Sequence, residues 1–536
     1  MKRNFKKLLG FALATYATVA AIKATDNYTA GTDCGLAYVK IPDFYNDKYV
    51  VAGGTSLLDR ENRQREDCFG GGISVVLGLE TVVSGSRGSQ SLGKGFSPDA
   101  KSDTVTIQSG ATGTLDIRKF IHEFFPSSAA SDVAPFNTTA GASTSANVSM
   151  SKFEANHKRW FADLSYMQDL GNFYEGLKFS VSTTLVSVKN NLSVEFGGMP
   201  LKGVNLTSGQ NGAITAGNGA EYCNNVTMEN FFRGANSNAE NTADTYNAQA
   251  KLRYGRFTIG DQSQSGLTDI RTRLSLDILD NDNAKVSVAL DGVLPVGREL
   301  KLENLFEPVV GNRHFKLGAW VGAEASLAEG SDYSANLQVQ GLWHYAFPRN
   351  CSRLPWDKNN VFGQYALGYM AAGSSVTLEP LINHIVVSQP KVNVKPGQSL
   401  SLIVNGNIEK GSLVIDAGYN LRWSAAESND GYTEIPSLCL AISDNTAGTN
   451  SAIRAKKTSD TDWSTSVGGA PVNLTRDFTT SAAGQVTHDF YLSLGFLSKE
   501  WQYPSSVSLQ AGYDIAQNRS RTPERWHLSV KGSFFF

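Results

Sequence analysis

The chain has 536 residues, with 51 Gly but only 16 Pro, and a formal net charge of −2. A mildly acidic chain of this kind is excluded as a general nucleic-acid binder. Mean hydropathy is −0.23, and beyond the N-terminus no run of about 18 apolar residues could serve as a spanning helix.

Residues 1–24 read as a signal peptide: Lys2, Arg3, Lys6 and Lys7 precede the apolar stretch Leu8 to Ile22, with Ala21 and Ala24 as candidate cleavage positions. Residues 25–68 lack alternation and are read as a separate N-terminal segment on the periplasmic side. From residue 69 the pattern changes. Phe69, Gly71, Ile73, Val75, Leu77 and Leu79 share one face of a first strand, because strand side chains point alternately to opposite faces. Weak alternation marks 102–108, and Leu115 to Phe125 reads as a short amphipathic helix stopped by Pro126.

Further strands are predicted at 146–155, 158–168 and 175–188, followed by a polar stretch over 199–245. Alternation resumes at 246–260 and 267–279, and the turn Asp280-Asn-Asp-Asn283 leads into 284–294. The clearest pair is 314–327 with 333–346, in which Leu337, Val339, Trp343 and Tyr345 oppose Asn336, Gln338, Gln340 and His344. The remaining strands are 362–371, 398–408, 411–424, 485–497, 503–516 and 526–536.

The last strand sets Trp526, Leu528, Val530, Phe534 and Phe536 against His527, Ser529, Lys531 and Ser533. At about 10–11 residues it has the length a tilted strand needs to cross a hydrocarbon layer. A terminal strand ending in Phe resembles that of bacterial outer-membrane β-barrels of the porin-like type. That resemblance implies that Trp526, Phe534 and Phe536 are an assembly signal read by the barrel-assembly machinery, and that the chain sits among outer-membrane lipids. The expected fold is all-β: a closed antiparallel transmembrane barrel over 69–536, of about 16 strands (14–18), with long external loops and short periplasmic turns.

No catalytic or metal constellation can be assembled: the seven His are scattered, and no phosphate-loop motif is present. The chain is read as a non-enzyme without cofactor or metal. The polar phase of the alternation places Lys251, Arg253, Arg271, Arg273 and Asp277 on a pore wall, where charges can bias the passing solutes. In general porins of sixteen strands, the loop after strand five folds inward and sets acids against a basic wall. The corresponding stretch is 199–245, so the resemblance implies constriction residues Glu221, Glu229, Glu240 and Asp244. The stretch Leu305-Phe-Glu-Pro-Val-Val-Gly-Asn312 also resembles one in porin-like proteins.

The function expected is passive diffusion of small hydrophilic solutes and ions, in a chain compatible with homo-oligomerisation. Two alternatives stand beside it: a surface adhesin or structural barrel with little conduction, and a transporter of hydrophobic compounds plugged by 25–68 or 115–125. The strand count places Cys223 and Cys439 outside, and Cys34, Cys68 and Cys351 on the periplasmic side. Cys34–Cys68 is then the expected pair, with Cys351–Cys439 forbidden across the membrane.

Overall fold

The computed structural model describes residues 70–82, 105–107, 148–197, 232–234, 252–257, 260–281, 283–330, 332–357, 363–365, 367–370, 379–435, 438–440, 457–459, 462–463, 474, 478–479, 484–498, 503–516 and 524–536. All fall in one compact unit, Gly35–Phe536.

Twelve long strands close into an antiparallel barrel. They are β1 (Gly71–Val82), β2 (Val148–Asp169), β3 (Leu177–Gly197) and β4 (Gly260–Asp280). Next come β5 (Ala284–Leu294), β6 (Lys316–Glu329), β7 (Tyr333–Ala346) and β8 (Gly397–Lys410). The series ends with β9 (Leu413–Ser424), β10 (Gln485–Ser498), β11 (Ser505–Ala516) and β12 (Arg525–Phe535). Each strand pairs with its chain neighbour. Closure comes from β1, where Leu77 stands opposite Val530 of β12 on one side and Ala162 of β2 on the other.

The outer face is apolar and open to the surroundings: Leu290 is 72% exposed and Leu492 60%. A continuous belt of such residues is untenable in water but is what a lipid-facing surface requires. Trp160, Trp343 and Trp526 lie toward one rim of this belt, and Tyr503, Phe534 and Phe536 pack at the other, with ring centroids 5.3 and 6.2 Å apart. The inner face is polar and closely packed. Asn405, Asp416, Asp489, Ser493 and Ser529 are all buried there.

The barrel seam explains the glycine run at its start. Gly71 exchanges two backbone hydrogen bonds with Phe536, at 2.9 and 3.0 Å. A Cβ on Gly71 would lie 2.7 Å from the Phe536 ring, and one on Gly72 would lie 2.9 Å from the Phe535 ring. The glycines therefore make room for the aromatic end of the chain. Deleting Phe536 removes both hydrogen bonds and one rim ring. The heat-modifiable, protease-resistant fraction after membrane insertion is expected to fall several-fold. Unchanged yield would remove the terminal residue from the closure of the barrel.

The barrel has twelve strands rather than sixteen, and four particular segments make the difference. The predicted strands 146–155 and 158–168 are one 22-residue strand, β2. Asn156-His-Lys-Arg159 resembles a polar turn but runs straight through: Arg159 points inward and is buried, while Lys158 lies over the Trp160 ring at 5.5 Å. Segment 102–108 contributes only Val105–Ile107, which pairs with the far end of β2. Residues 252–257, 363–365 and 367–370 belong to the loops instead of the wall, joined by the hydrogen bond from the Tyr365 hydroxyl to the Gly255 carbonyl. Alternation needs only one apolar and one wet side, and an apolar loop core supplies that as well as lipid does.

The shorter count also re-sorts the ends. The connections 170–176, 281–283, 330–332, 411–412 and 499–504 are all short and share the end that holds Gly71 and Phe536. In the tightest of these chemically, Asn281 Oδ1 accepts the N–H groups of Asn283 and Ala284, at 3.1 and 2.9 Å. Segments 295–313 and 347–361, which the sixteen-strand count puts on the periplasmic side, instead belong to connections at the opposite end, together with the other long ones. Cys351 therefore shares that end with the strand Leu438–Leu440, which contains Cys439, and the topological bar between the two falls away. Cys351 is a free, buried thiol. Cys34, Cys68 and Cys223 lie outside the described residues, as do 1–68 and 115–125.

The long connections build a cap. Helix α1 (Leu381–Ser388) buries Leu381, Ile382 and Ile385. Cys351, Val392, Val394, Tyr432, Leu438 and Leu474 complete a core with Leu381 and Ile385. Phe232 stacks on Phe257, with centroids 4.6 Å apart, and meets the edge of Tyr365 at 5.2 Å.

His314, two residues before β6, sits beneath this cap with its Nδ1 3.1 Å from the Phe347 carbonyl and Nε2 3.6 Å from the Cys351 sulfur. Burial, aided by the charges of Arg353 and Lys316, lowers its pKa from 6.5 to about 4. The unfolded form therefore binds a proton that the folded form refuses between these values. Stability falls as pH drops from about 6.5 to about 4, by at most about 3 kcal/mol. Protection of 347–396 from protease should weaken from pH 7.5 to pH 5 and become flatter with pH in His314→Gln. An equally steep profile in that variant would assign the effect elsewhere.

Candidate functional site: the barrel lumen

The lumen is built from inward-facing positions of the strands, and two buried ionic networks lie within it. The first centres on Asp291 of β5, which has no exposed surface. Arg271 donates to it from Nε at 2.9 and 2.8 Å, and Arg273 donates from Nε at 2.8 Å. His344 Nε2 lies 2.8 Å from the other side of the carboxylate. Register explains the convergence. Arg273 is directly opposite Asp291, Asp291 opposite Gly318, and Gly318 opposite His344. A Cβ on Gly318 would lie 2.4 Å from the His344 ring, so the glycine lets the imidazole cross to Asp291.

The second network spans the seam. Arg525 meets Glu80 at 3.2 Å and Asp514 at 2.5 Å, and Arg159 meets Glu80 at 2.8 Å. Asp489 accepts from Arg422 at 3.5 Å and lies 3.0 Å from His527 Nε2. Asp489, Asp514 and His527 are near enough to one another to hold a cation. Arg422 and Arg525 already balance both carboxylates, so the group acts as an ion-pair cluster. Pairs buried to this degree gain little net stability over apolar packing, but loss of one partner strands the other.

Between β5 and β6 the connection 295–315 turns into the barrel. Val310 has no exposed surface and packs on the inward-facing Val76, Phe161, Val186 and Val188. The Asn312 N–H donates to Asp269 Oδ2 at 2.9 Å, and Asn190 Nδ2 donates to the Phe306 carbonyl at 3.0 Å. Glu307 stiffens the segment by accepting the N–H groups of Lys301, Leu302 and Asn304 at 2.9, 3.0 and 3.2 Å. Its two ends touch. A Cβ on Gly297 would lie 2.9 Å from the Gly311 Cα, and Gly311 has φ +76°, a conformation that favours glycine.

The inward segment thus comes from 295–315 and carries Leu305 to Asn312. Of 199–245, only 232–234 is described, and it lies in the cap. Glu221, Glu229, Glu240, Asp244 and Lys251 fall outside the described residues. Arg253 is not on the lumen wall. It lies in the cap, half-exposed and paired with Glu379 at 2.5 Å. The structure places Arg271, Arg273 and Asp277 in the lumen, with Asp277 meeting Lys178 at 3.5 Å and Lys285 at 3.3 Å. Sequence reasoning placed His344 and His527 there too, but missed Asp291. The available signal was an acid in the inward phase of Ser287, Ala289, Asp291 and Val293.

A cavity of about 250 Å³ remains on the short-turn side of the lumen. Its lining includes Met167, Lys178, Arg273, Asp277, Trp320 and Phe535. Below it Phe535, Val414 and Leu497 form an apolar floor against Met167.

No family model matches the chain, and no curated protein matches it. Among solved structures, it is similar to the CymD monoaromatic hydrocarbon channel at 8% identity and TM-score 0.27, over 91% of this chain and 93% of that one. A Pseudomonas aeruginosa FadL homologue matches at 7% identity and TM-score 0.26, over 88% and 91%. OmpT, an outer membrane protein of Vibrio cholerae, matches at 7% identity and TM-score 0.21, over 87% and 98%. Likeness at this level concerns the barrel fold alone.

Proposed function

We propose that the chain is an outer-membrane transport barrel with a closed resting lumen, passing small organic solutes when segment 295–315 withdraws. The observation that carries this reading is the seating of Val310 and Asn312 on the inner wall. An open general porin needs a continuous aqueous path, whereas the described lumen holds a folded segment and two charge networks. Free flow of ions is therefore the less favoured form of transport.

A second reading, passage of apolar compounds, draws on the patch of Val76, Phe161, Val186 and Val188 that Val310 covers. Withdrawal of the segment would expose this patch to the lumen. The polar neighbours Ser180, Ser182 and Gln340 nearer the short turns favour solutes that also carry a polar group.

Proteoliposomes that contain the protein should admit small organic solutes faster than protein-free vesicles, while showing low steady ion conductance. Large, steady conductance from the intact protein would restore the open-porin form. Neither solute entry nor conductance, in the intact chain or with the segment removed, would favour a surface structural barrel.

A further inference from the structure

The cavity on the short-turn side is more specific than a leftover space, and we infer that it binds a small organic anion with a flat apolar portion, such as an aromatic carboxylate. This inference rests on the transport reading and names the solute class for the same lumen.

Charge, shape and floor agree. Four cations, Lys178, Arg271, Arg273 and Lys285, line the cavity beside two acids, Asp277 and Glu324. Asp291 offsets part of this excess, because both arginines donate to it. Balance at the wall remains positive, which attracts an anion out of water at short range.

The apolar half of the ligand has its own surface. Trp320 of β6 faces inward and is held in place by its Nε1–H donating to Gln340 at 3.2 Å. The Arg273 guanidinium lies 4.8 Å from the ring centroid. A guanidinium stacked on an indole presents a charged and an aromatic surface side by side, the two halves that a ring carboxylate matches. Met167 and Phe535 supply a soft and an aromatic surface at the floor. An enclosed apolar cavity of about 150 Å³ holds benzene, so about 250 Å³ is room for a single-ring compound.

Calorimetry on the full chain in detergent, at fixed ionic strength, tests the site without any transport readout. The probes are benzoate, benzyl alcohol and benzylammonium. Benzoate should bind with a Kd below about 1 mM, and each of the other two at least about tenfold more weakly. Trp320→Leu and Lys285→Gln should each weaken benzoate several-fold while the barrel stays heat-modifiable. Equal binding of the three probes, or benzoate affinity unchanged in both variants, would overturn the assignment. Benzoate binding in a protein that passes no solute would leave the site standing and remove the transport reading. Solute flux with no benzoate binding would do the reverse.

Discussion

Excising residues 298–310 and joining Gly297 to Gly311 should convert a nearly silent barrel into a conducting one. The two glycines already touch, so the shortened connection closes without moving β5 or β6. The deletion removes Val310 from the apolar patch and the Glu307 carboxylate that organises the segment. Gate removal in a pore opens the path that the segment filled, and conductance in planar bilayers should rise on the order of tenfold. The milder Asp269→Ala takes away the Asn312 anchor while leaving the segment in place, and should give brief openings instead of a steady rise. Conductance unchanged in a folded deletion protein would mean that the two ionic networks close the lumen by themselves.

Asp291→Ala should be the most destabilising single substitution in the wall. The carboxylate is fully buried and answers Arg271, Arg273 and His344 together. Its loss leaves two guanidinium groups from one strand facing each other with their shared counter-charge gone. Breaking a buried pair on one side costs about 3–5 kcal/mol. Replacing all three charged partners in Asp291→Leu, Arg271→Met and Arg273→Met should recover most of that loss, since apolar packing can substitute for a buried ion cluster. Denaturant unfolding in lipid vesicles separates the two variants. Equal midpoints for Asp291→Ala and the intact protein would show that water reaches the arginines freely.

Much of this architecture is legible in the sequence. The aromatic face of β12, the alternation of β6 and β7 and the short hairpin at Asn281 each follow from local pattern, because lipid on one side and a polar lumen on the other enforce period two. The count fails where another two-sided environment imitates that period. Leu252 and Tyr254 alternate with Arg253, and Leu252 is buried while Arg253 is exposed, because the cap has an apolar interior and a wet surface. The run Asn156 to Arg159 fails in the opposite sense: polar residues in a row look like a turn, yet a polar lumen accepts Arg159 and the rim accepts Lys158.

The candidate site divides in the same way. Arg271, Arg273 and Asp277 are legible from their inward phase. Their neutralisation by Asp291 and Lys178 depends on register between strands, which no single strand displays. The identity of the inward segment is hidden for a related reason. Nothing in 295–315 alternates, and its place in the lumen depends on contacts with residues more than a hundred positions away, such as Asn190 with Phe306. Only the glycines at 297 and 311 hint at a pinched loop.

The central claim, that 295–315 sits inside the barrel at rest, is most directly tested by a disulfide. A Cβ on Gly266 would lie 3.4 Å from Val310 Cγ1, a separation compatible with a bridge between two cysteines. Gly266→Cys combined with Val310→Cys should oxidise readily in the folded protein, and peptide mapping should join the two positions. Bilayer recordings before and after reduction should show openings suppressed in the oxidised form and restored by reductant. A folded barrel in which these cysteines never join, or in which the bridge leaves solute entry untouched, would contradict it.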